Sequence, residues 1–150
     1  GKTRQQSVFA GVRAASEDAA YYCIHDGARP LASRQVIAGV LEAAQREGAA
    51  TAAVKAKDTI KIAGPDGFIL STPDRDSLYL TQTPQVFEAS LYREAMEAAL
   101  AAGKEYTDDC QLVEAIGRRV YLAGGDYANI KLTTPEDQIV AEALLEYAGE

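Results

Sequence analysis

Short apolar runs alternate along this chain with stretches of helical periodicity, a pattern that restricts it to a sheet covered by helices. Strands are predicted at 20–24, 50–54, 119–123 and 128–132. Helices are predicted at 5–15, 33–47, 88–101, 107–116 and 134–147. Ser33 is a suitable N-cap and Gly48 a suitable C-terminal stop for the second helix. This order predicts the α/β class, with a doubly wound, mostly parallel sheet covered on both faces.

One segment departs from this alternation. Residues 59–62 and 68–70 predict the strands of a β-hairpin around a Gly/Pro turn at 63–67. Such a hairpin projects from an α/β domain, and its apolar side chains need a cover, for which a second subunit is the natural candidate. We therefore expect a homodimer formed through an arm at about 58–76. Since no linker or repeat interrupts the chain, residues 1–150 are expected to be one domain.

The charge balance limits the partners of the chain. Its net charge is −7, and no cluster of Lys or Arg offsets the 22 acidic residues, which argues against a nucleic-acid or membrane surface. A phosphate ligand would have to be met by individually placed cations. Cys23 and Cys110 have neither metal nor disulfide spacing and fit a reducing cytosol, and no apolar run has the length of a membrane span. A cytoplasmic protein is expected.

A polar segment, 25–30, directly follows the predicted strand at 20–24. Open α/β sheets bind ligands at the carboxyl ends of their strands, so Asp26 and Arg29 are candidates for holding a ligand. The alternative is a surface ion pair between the two, worth about 1 kcal/mol at most. Gly27 would permit close backbone approach, which favours the ligand site. The chain's single histidine, His25, has no partner arrangement in the sequence and is expected to be structural.

A second polar segment, 129–137, has the same design. Lys131 lies between Ile130 and Leu132 and, on a strand, would face opposite to both of them. It is either a solvated surface lysine or a cation aimed into a site. The two segments together suggest a site for an anionic small molecule.

Two further polar groups have simple structural explanations. Thr107 is a suitable cap for the helix that follows it, and the two acids after it suit the positive end of that helix better than a metal site. The segment around Arg75 is typical of a polar turn. No dinucleotide-binding, P-loop, serine-hydrolase or zinc-protease motif is present in the sequence.

Seven motifs, taken in order, resemble the 2-C-methyl-D-erythritol 4-phosphate cytidylyltransferases of the non-mevalonate isoprenoid route. The resemblance runs from residue 1 to about residue 147, and the order and spacing of the motifs make it specific. The motifs are Arg4-Gln5-Gln6-Ser7-Val8, His25-Asp26-Gly27-Ala28-Arg29-Pro30, Lys57-Asp58-Thr59, Asp74-Arg75, Gln82-Thr83-Pro84-Gln85-Val86-Phe87, Tyr106-Thr107-Asp108-Asp109 and Asn129-Ile130-Lys131-Leu132-Thr133.

This resemblance implies a Rossmann-like nucleotidyltransferase that transfers CMP from CTP to 2-C-methyl-D-erythritol 4-phosphate and releases pyrophosphate. It implies Mg²⁺ bound mainly through the CTP phosphates, and no base, because the acceptor's phosphate oxygen is the nucleophile. By position, Lys131 and Arg75 match catalytic residues, with Arg75 and Thr59 reaching the site from the partner subunit's arm. The remaining matches are Asp26, Arg29, Thr59 and Thr107 for the acceptor, and Ser7, Asp26 and Gly27 for the nucleotide.

The resemblance has one departure. The family begins with a strand and a glycine-rich loop that holds the triphosphate of CTP, and this sequence starts after that point. It therefore resembles the C-terminal two thirds of the enzyme, N-terminally truncated, and is expected to be inactive alone. Two alternatives stay open. One is a ribitol or other pentitol 5-phosphate cytidylyltransferase, which shares Gln82-Thr83-Pro84-Gln85 and the region of Lys131. The other is a catalytically dead binding or dimerisation module.

Overall fold

The computed structural model describes residues 1–148. The helices are α1 (Arg4–Ala14), α2 (Arg34–Glu47), α3 (Ala89–Ala102), α4 (Asp109–Ala115) and α5 (Pro135–Ala148). The strands are β1 (Tyr21–Ile24), β2 (Ala49–Lys55), β3 (Ile62–Ala63), β4 (Ile69–Ser71), β5 (Tyr79–Glu88) and β6 (Tyr121–Gly124), with a 3₁₀ turn at Arg75–Ser77.

Four strands form the main sheet, in the order β1-β5-β2-β6. Strand β5 runs antiparallel to both neighbours, and β6 runs parallel to β2. Three of the four strands therefore point in one direction and β5 opposes them, so that among the three neighbouring pairs only β2 and β6 are parallel. The sheet is mixed rather than purely parallel because this opposed strand sits between β1 and β2.

Helices cover both faces of the sheet. Successive residues of a strand point to opposite faces, and Phe87 accordingly packs with α1, α3 and α4, whereas Val86 packs with α2. Val40 of α2 and Tyr92 of α3 are fully buried on their respective sides. The doubly wound arrangement predicted from the alternation of elements is therefore confirmed.

Two predictions about strands were wrong. Strand β5 was missed, since Gln82, Thr83 and Gln85 interrupt its apolar pattern and Pro84 follows a cis peptide bond inside it. The predicted strand at 128–132 is irregular chain instead. Its Leu132 N–H donates to the Ala28 carbonyl oxygen (2.8 Å), so this segment bonds to the loop after β1 rather than to a sheet ladder.

The helix ends follow local chemistry. The Ser33 side chain accepts from the Val36 N–H, and Gly48 ends α2 at a φ of 84°, which favours glycine, so both expected signals are confirmed. The expected cap of α4 was wrong by one position: Asp108, not Thr107, accepts from the Gln111 N–H. Among the described residues, no helix combines the length and apolar character needed to cross a membrane.

The predicted hairpin is present as a separate two-stranded sheet, shorter than expected. Strands β3 and β4 pair antiparallel, and the Gly64 N–H donates to the Phe68 carbonyl oxygen across the turn. Its apolar side chains lie largely in solvent, with Phe68 73% and Leu70 68% exposed. The hairpin therefore projects from the domain with an uncovered apolar surface.

Candidate functional site

A polar cleft of about 160 Å³ opens at the carboxyl ends of β1 and β6. It is lined by Arg4, Asp26, Arg29, Thr81, Gln82, Thr83, Gln85, Thr107, Asp108 and Lys131. The loop after β1 supplies Asp26 and Arg29, the loop after β6 supplies Lys131, and β5 supplies the floor. The two polar segments found in the sequence therefore meet in one place, as expected for an α/β sheet.

Asp26 is the centre of this cleft. Its Oδ2 lies 2.9 Å from Lys131 Nζ and 4.0 Å from Arg29 Nε, and its Oδ1 lies 3.4 Å from Arg4 Nε. Burial alone would raise the pKa of Asp26, but the hydrogen bond and charge of Lys131, together with Arg4, outweigh it and lower the pKa. Asp26 therefore stays ionised and holds the three cations around one point.

Arg29 and Lys131 differ in their access to solvent. The Arg29 side chain is 12% exposed and donates through Nη1 to the Asn129 carbonyl oxygen (2.7 Å), whereas the Lys131 side chain is 42% exposed. Burial lowers the pKa of Arg29 against the opposing charge of Asp26. The Nε of Arg29 is buried without a hydrogen-bond partner within residues 1–148. Lys131 is thus the accessible cation, and Arg29 the fixed one.

Arg4 is a member of the cleft that the sequence reasoning did not select as a site residue. Its Nη1 donates to Asp109 Oδ2 (2.6 Å), and Asp109, only 1% exposed, also accepts from the hydroxyl of Tyr92. Burial opposes the charge of Arg4, but the hydrogen bond and charge of Asp109, with the charge of Asp26, raise its pKa. Arg4 therefore ties α1 and α4 to Asp26. The only signal for it was its place in the first motif.

A buried amide network holds the loop of Lys131 against β5. Gln82 Nε2 donates to the Asp126 carbonyl oxygen (2.8 Å), and Asn129 Nδ2 donates to the Thr83 carbonyl oxygen (2.8 Å). Gly125 lies so close to this strand that a Cβ there would be 2.5 Å from Gln82 Oε1. The motifs around Gln82 and Asn129 are therefore two halves of one scaffold.

His25, which the sequence predicts to be a structural residue, makes two hydrogen bonds beside the cleft. Its Nδ1 lies 3.0 Å from Thr83 Oγ1, and its Nε2 lies 3.0 Å from the Arg29 carbonyl oxygen. The Asp26 N–H donates to the same Thr83 Oγ1 (2.9 Å). The expectation that His25 is a structural residue at the strand end agrees with these bonds. Thr83, 58 residues away in sequence, could not have been identified as its partner.

The structure brings together Asp26, Arg29, Thr107 and Lys131, but not the other predicted site residues. Thr107 bonds to Gln111 through both its N–H and its hydroxyl, so its side chain stays at the rim of the cleft. Lys131 lies in irregular chain, so its position does not depend on the strand alternation from which it was singled out.

The remaining predicted residues line no part of the cleft. Ser7 is exposed on α1 and donates to the Thr3 carbonyl oxygen (3.0 Å), and Thr59 is exposed at the base of the hairpin. Arg75 is also exposed there and donates to the Lys57 carbonyl oxygen (3.2 Å). Gly27 borders Asp26, but its φ is not in the left-handed region and a Cβ there would touch nothing within 4 Å. Its backbone therefore does not require glycine.

A larger groove lies at the opposite end of the sheet and does not fit an anion as well. It has a volume of about 580 Å³ and is lined by Glu47, Glu88, Glu94, Arg118 and Arg119, among others. Its three acids outnumber its two arginines, whereas the smaller cleft has three cations against two carboxylates. Charge therefore selects the smaller cleft as the candidate anion site.

Residues 1–147 match the family described as 2-C-methyl-D-erythritol 4-phosphate cytidylyltransferase. The chain belongs to this family. Among its relatives, the enzyme of that name from Caldanaerobacter subterraneus subsp. tengcongensis is 50% identical over 97% of this chain and 64% of its own length. The enzyme of that name from Desulforamulus reducens is 46% identical over 97% of this chain and 62% of its own length.

Solved structures of the family share the fold. A 2-C-methyl-D-erythritol 4-phosphate cytidylyltransferase from Thermus thermophilus matches with a TM-score of 0.87 at 42% identity, over 96% of this chain and 70% of its own. A 4-diphosphocytidyl-2C-methyl-D-erythritol synthase from Anaerococcus prevotii matches with a TM-score of 0.91 at 39% identity, over 97% and 68%. The predicted fold class and the resemblance to this family are confirmed. The chain spans 61% to 64% of the length of the first curated relatives it matches.

Proposed function

We propose that this chain forms the acceptor side of a cytidylyltransferase that transfers CMP from CTP to 2-C-methyl-D-erythritol 4-phosphate and releases pyrophosphate. The observation that carries the proposal is the convergence of Arg4, Arg29 and Lys131 on one cleft of a chain whose net charge is −7. Membership of the family, whose relatives carry that name, supplies the identity of the acceptor.

The proposed reaction asks little of the protein beyond position and charge. A phosphate oxygen of the acceptor attacks the α-phosphorus of CTP, a new P–O bond forms, and the bond to the β-phosphate breaks as pyrophosphate leaves. The attacking oxygen is already an anion, so no general base is needed. Lys131 and Arg29 hold the acceptor phosphate and neutralise its charge, which is the main source of catalysis in transfers of this kind. Thr107, at the rim, is assigned to orienting the acceptor.

The nucleotide contacts are assigned to Ser7, Gly27 and Asp26. Ser7 follows Arg4 by three residues, about one helical turn, so both project from the same side of α1. The space above Gly27 is open, which supports a ligand there. These three assignments still rest mainly on the match to the family's motifs.

The homodimer is assigned to the arm at about 58–76. Its exposed apolar side chains, with Phe68 73% in solvent, favour a protein cover. Thr59 and Arg75 lie at the base of the arm and outside their own subunit's cleft, which supports their delivery to the partner's cleft. Arg75 would there add a further cation to the reacting phosphates.

Mg²⁺ is assigned to the phosphates of CTP, where it would neutralise charge on the departing pyrophosphate. Within residues 1–148 no group of three or more His, Cys, Asp or Glu side chains could hold a metal, and Asp26 already engages cations. The engagement of Asp26 with Lys131 supports a metal that is carried mainly by the phosphates of CTP. A cytoplasmic location also stays a prediction, based on the spacing of the two cysteines.

Binding and turnover measurements together test this function. Calorimetric titration of the chain with 2-C-methyl-D-erythritol 4-phosphate and with ribitol 5-phosphate is expected to show tighter binding of the first. Pyrophosphate release from CTP, measured on the full gene product that contains these residues, is expected to require the same acceptor. Preference for ribitol 5-phosphate would favour the pentitol alternative. Binding without pyrophosphate release by the gene product would favour a binding module.

A further inference from the structure

We propose that His25 is a positioning residue of the acceptor site, which acts with Thr83 to fix the main chain of Asp26 and Arg29 together. This inference rests on the proposed function of the cleft, because it concerns how the cleft is kept in shape for an anion. Neither residue needs to touch the acceptor.

A continuous chain of hydrogen bonds carries the proposal. The Asp26 N–H donates to Thr83 Oγ1 (2.9 Å), Thr83 Oγ1 lies 3.0 Å from His25 Nδ1, and His25 Nε2 lies 3.0 Å from the Arg29 carbonyl oxygen. The Arg29 N–H donates in turn to the Asp26 carbonyl oxygen (2.9 Å). These bonds close a ring around the turn 26–29. The turn is therefore held at its first residue and at its last.

The chemistry of the partners determines which atom donates and which accepts in each of these hydrogen bonds. A carbonyl oxygen can only accept, so His25 Nε2 must carry the hydrogen that bonds to Arg29. In a neutral imidazole the other nitrogen then accepts, so the Thr83 hydroxyl donates to Nδ1. The same hydroxyl oxygen accepts from the Asp26 N–H. One tautomer, with hydrogen on Nε2, satisfies all three bonds.

Thr83 also connects this ring to the loop of Lys131. Its carbonyl oxygen accepts from Asn129 Nδ2 (2.8 Å), and the carbonyl oxygen of Asn129 accepts from Arg29 Nη1 (2.7 Å). Both polar loops of the cleft are therefore connected by hydrogen bonds to one residue of β5. Because a misplacement of about 1 Å can cost about 10²-fold in rate, this link has consequences for an acceptor held between the loops.

The experiment compares Thr83→Val, which replaces the hydroxyl by a methyl group, with Thr83→Ser, which keeps the hydroxyl. His25→Phe, at an exposed position, breaks the ring from its other side. Thr51→Val serves as the matched control, since its buried hydroxyl donates to the Ala52 and Gln82 carbonyl oxygens and makes no bond to His25. Urea unfolding of each variant shows that the comparison is made between folded proteins.

Nitrogen-15 NMR of the imidazole gives a readout that needs no ligand. Because the chain contains a single histidine, the imidazole signals belong to His25. At about pH 8.5, where histidine is ordinarily neutral, the wild type is expected to show hydrogen on Nε2 alone. Thr83→Val is expected to mix the tautomers and to raise the pKa of the Asp26 carboxyl, as Asp26 drifts from Lys131. Thr83→Ser and Thr51→Val are expected to leave both signals unchanged.

Acceptor binding gives the functional readout. The dissociation constant for 2-C-methyl-D-erythritol 4-phosphate is expected to rise about 10-fold or more in Thr83→Val and His25→Phe, and to return in Thr83→Ser. A wild-type histidine with hydrogen on Nδ1, or folded Thr83→Val with unchanged tautomer, Asp26 titration and acceptor binding, would overturn the proposal. The chain could instead show the expected tautomer and the expected change in the pKa of Asp26 but bind no acceptor. That result would support the ring of hydrogen bonds and contradict the proposed function.

Discussion

Replacing Lys131 by alanine separates the binding role of this residue from any structural role. Its Nζ bonds to Asp26 Oδ2 (2.9 Å), but its side chain is 42% exposed, and Asp26 keeps Arg4 and Arg29 as neighbours. An ion pair this exposed is worth about 1 kcal/mol at most. The free energy of unfolding is therefore expected to fall by no more than about that amount.

The effect on the proposed reaction is expected to be larger. Two unit charges about 4 Å apart attract by about 4 kcal/mol at an effective dielectric constant of about 20. Asp26 and solvent offset part of this attraction for Lys131. Loss of one positioned charge donor from a site of this kind costs about 3 kcal/mol, or about 10²-fold in rate. Lys131→Ala should thus lose about 10²-fold in turnover while staying folded.

Acceptor binding by calorimetry, pyrophosphate release by the full gene product and urea unfolding measure the three quantities. Lys104→Ala, which removes an exposed lysine outside the cleft, is the matched control and should change none of them appreciably. Wild-type binding and turnover in Lys131→Ala would remove this residue from the site. A loss of several kcal/mol in unfolding free energy would instead show that the ion pair with Asp26 is structural.

The same contacts lead to three further expected outcomes. Tyr92→Phe removes a bond to the buried carboxyl of Asp109, which is paired with Arg4, and should cost about 1.5 to 3 kcal/mol in urea unfolding, and no change would show the bond to be unimportant. The pKa of Asp26 is lowered in the folded chain, so its contribution to stability is present above the ordinary value of 3.8 and is lost as pH falls through the lower folded value. Lys131→Ala should raise that pKa in carbon-13 NMR, and an unchanged titration would contradict the pairing. Mixing Arg75→Ala with Lys131→Ala gene products should restore part of the activity through hybrid dimers, and no recovery despite demonstrated subunit exchange would place Arg75 in its own subunit's site.

The elements that the sequence predicted well carry their signals locally. Helix α2 has its apolar spacing, its cap at Ser33 and its stop at Gly48 within one continuous stretch. Strand β5 lacked such a signal, because Gln82 and Gln85 are polar residues buried by the scaffold around them. Burial of a polar side chain depends on partners distant in sequence, such as Asp126 for Gln82. A local pattern of apolar and polar residues does not reveal such partners.

The same distinction between local signals and distant contacts applies to the candidate site. Asp26 and Arg29 stood out as a charged pair directly after an apolar run, and Lys131 as a single cation between apolar neighbours, and the fold brings the three together. Arg4 was missed because the two carboxylates that hold it at the cleft, Asp26 and Asp109, lie 22 and 105 residues away in the sequence. Periodicity and spacing describe neighbours along the chain, whereas contacts of this kind are created by the fold.

A crystal structure of the chain with 2-C-methyl-D-erythritol 4-phosphate would show directly whether the acceptor phosphate binds in this cleft. The phosphate is expected in the cleft around Asp26, within about 3 Å of Lys131 Nζ and hydrogen-bonded to Arg29. A phosphate bound instead in the larger groove beside Arg118 and Arg119, or an empty cleft at saturating acceptor, would contradict this expectation.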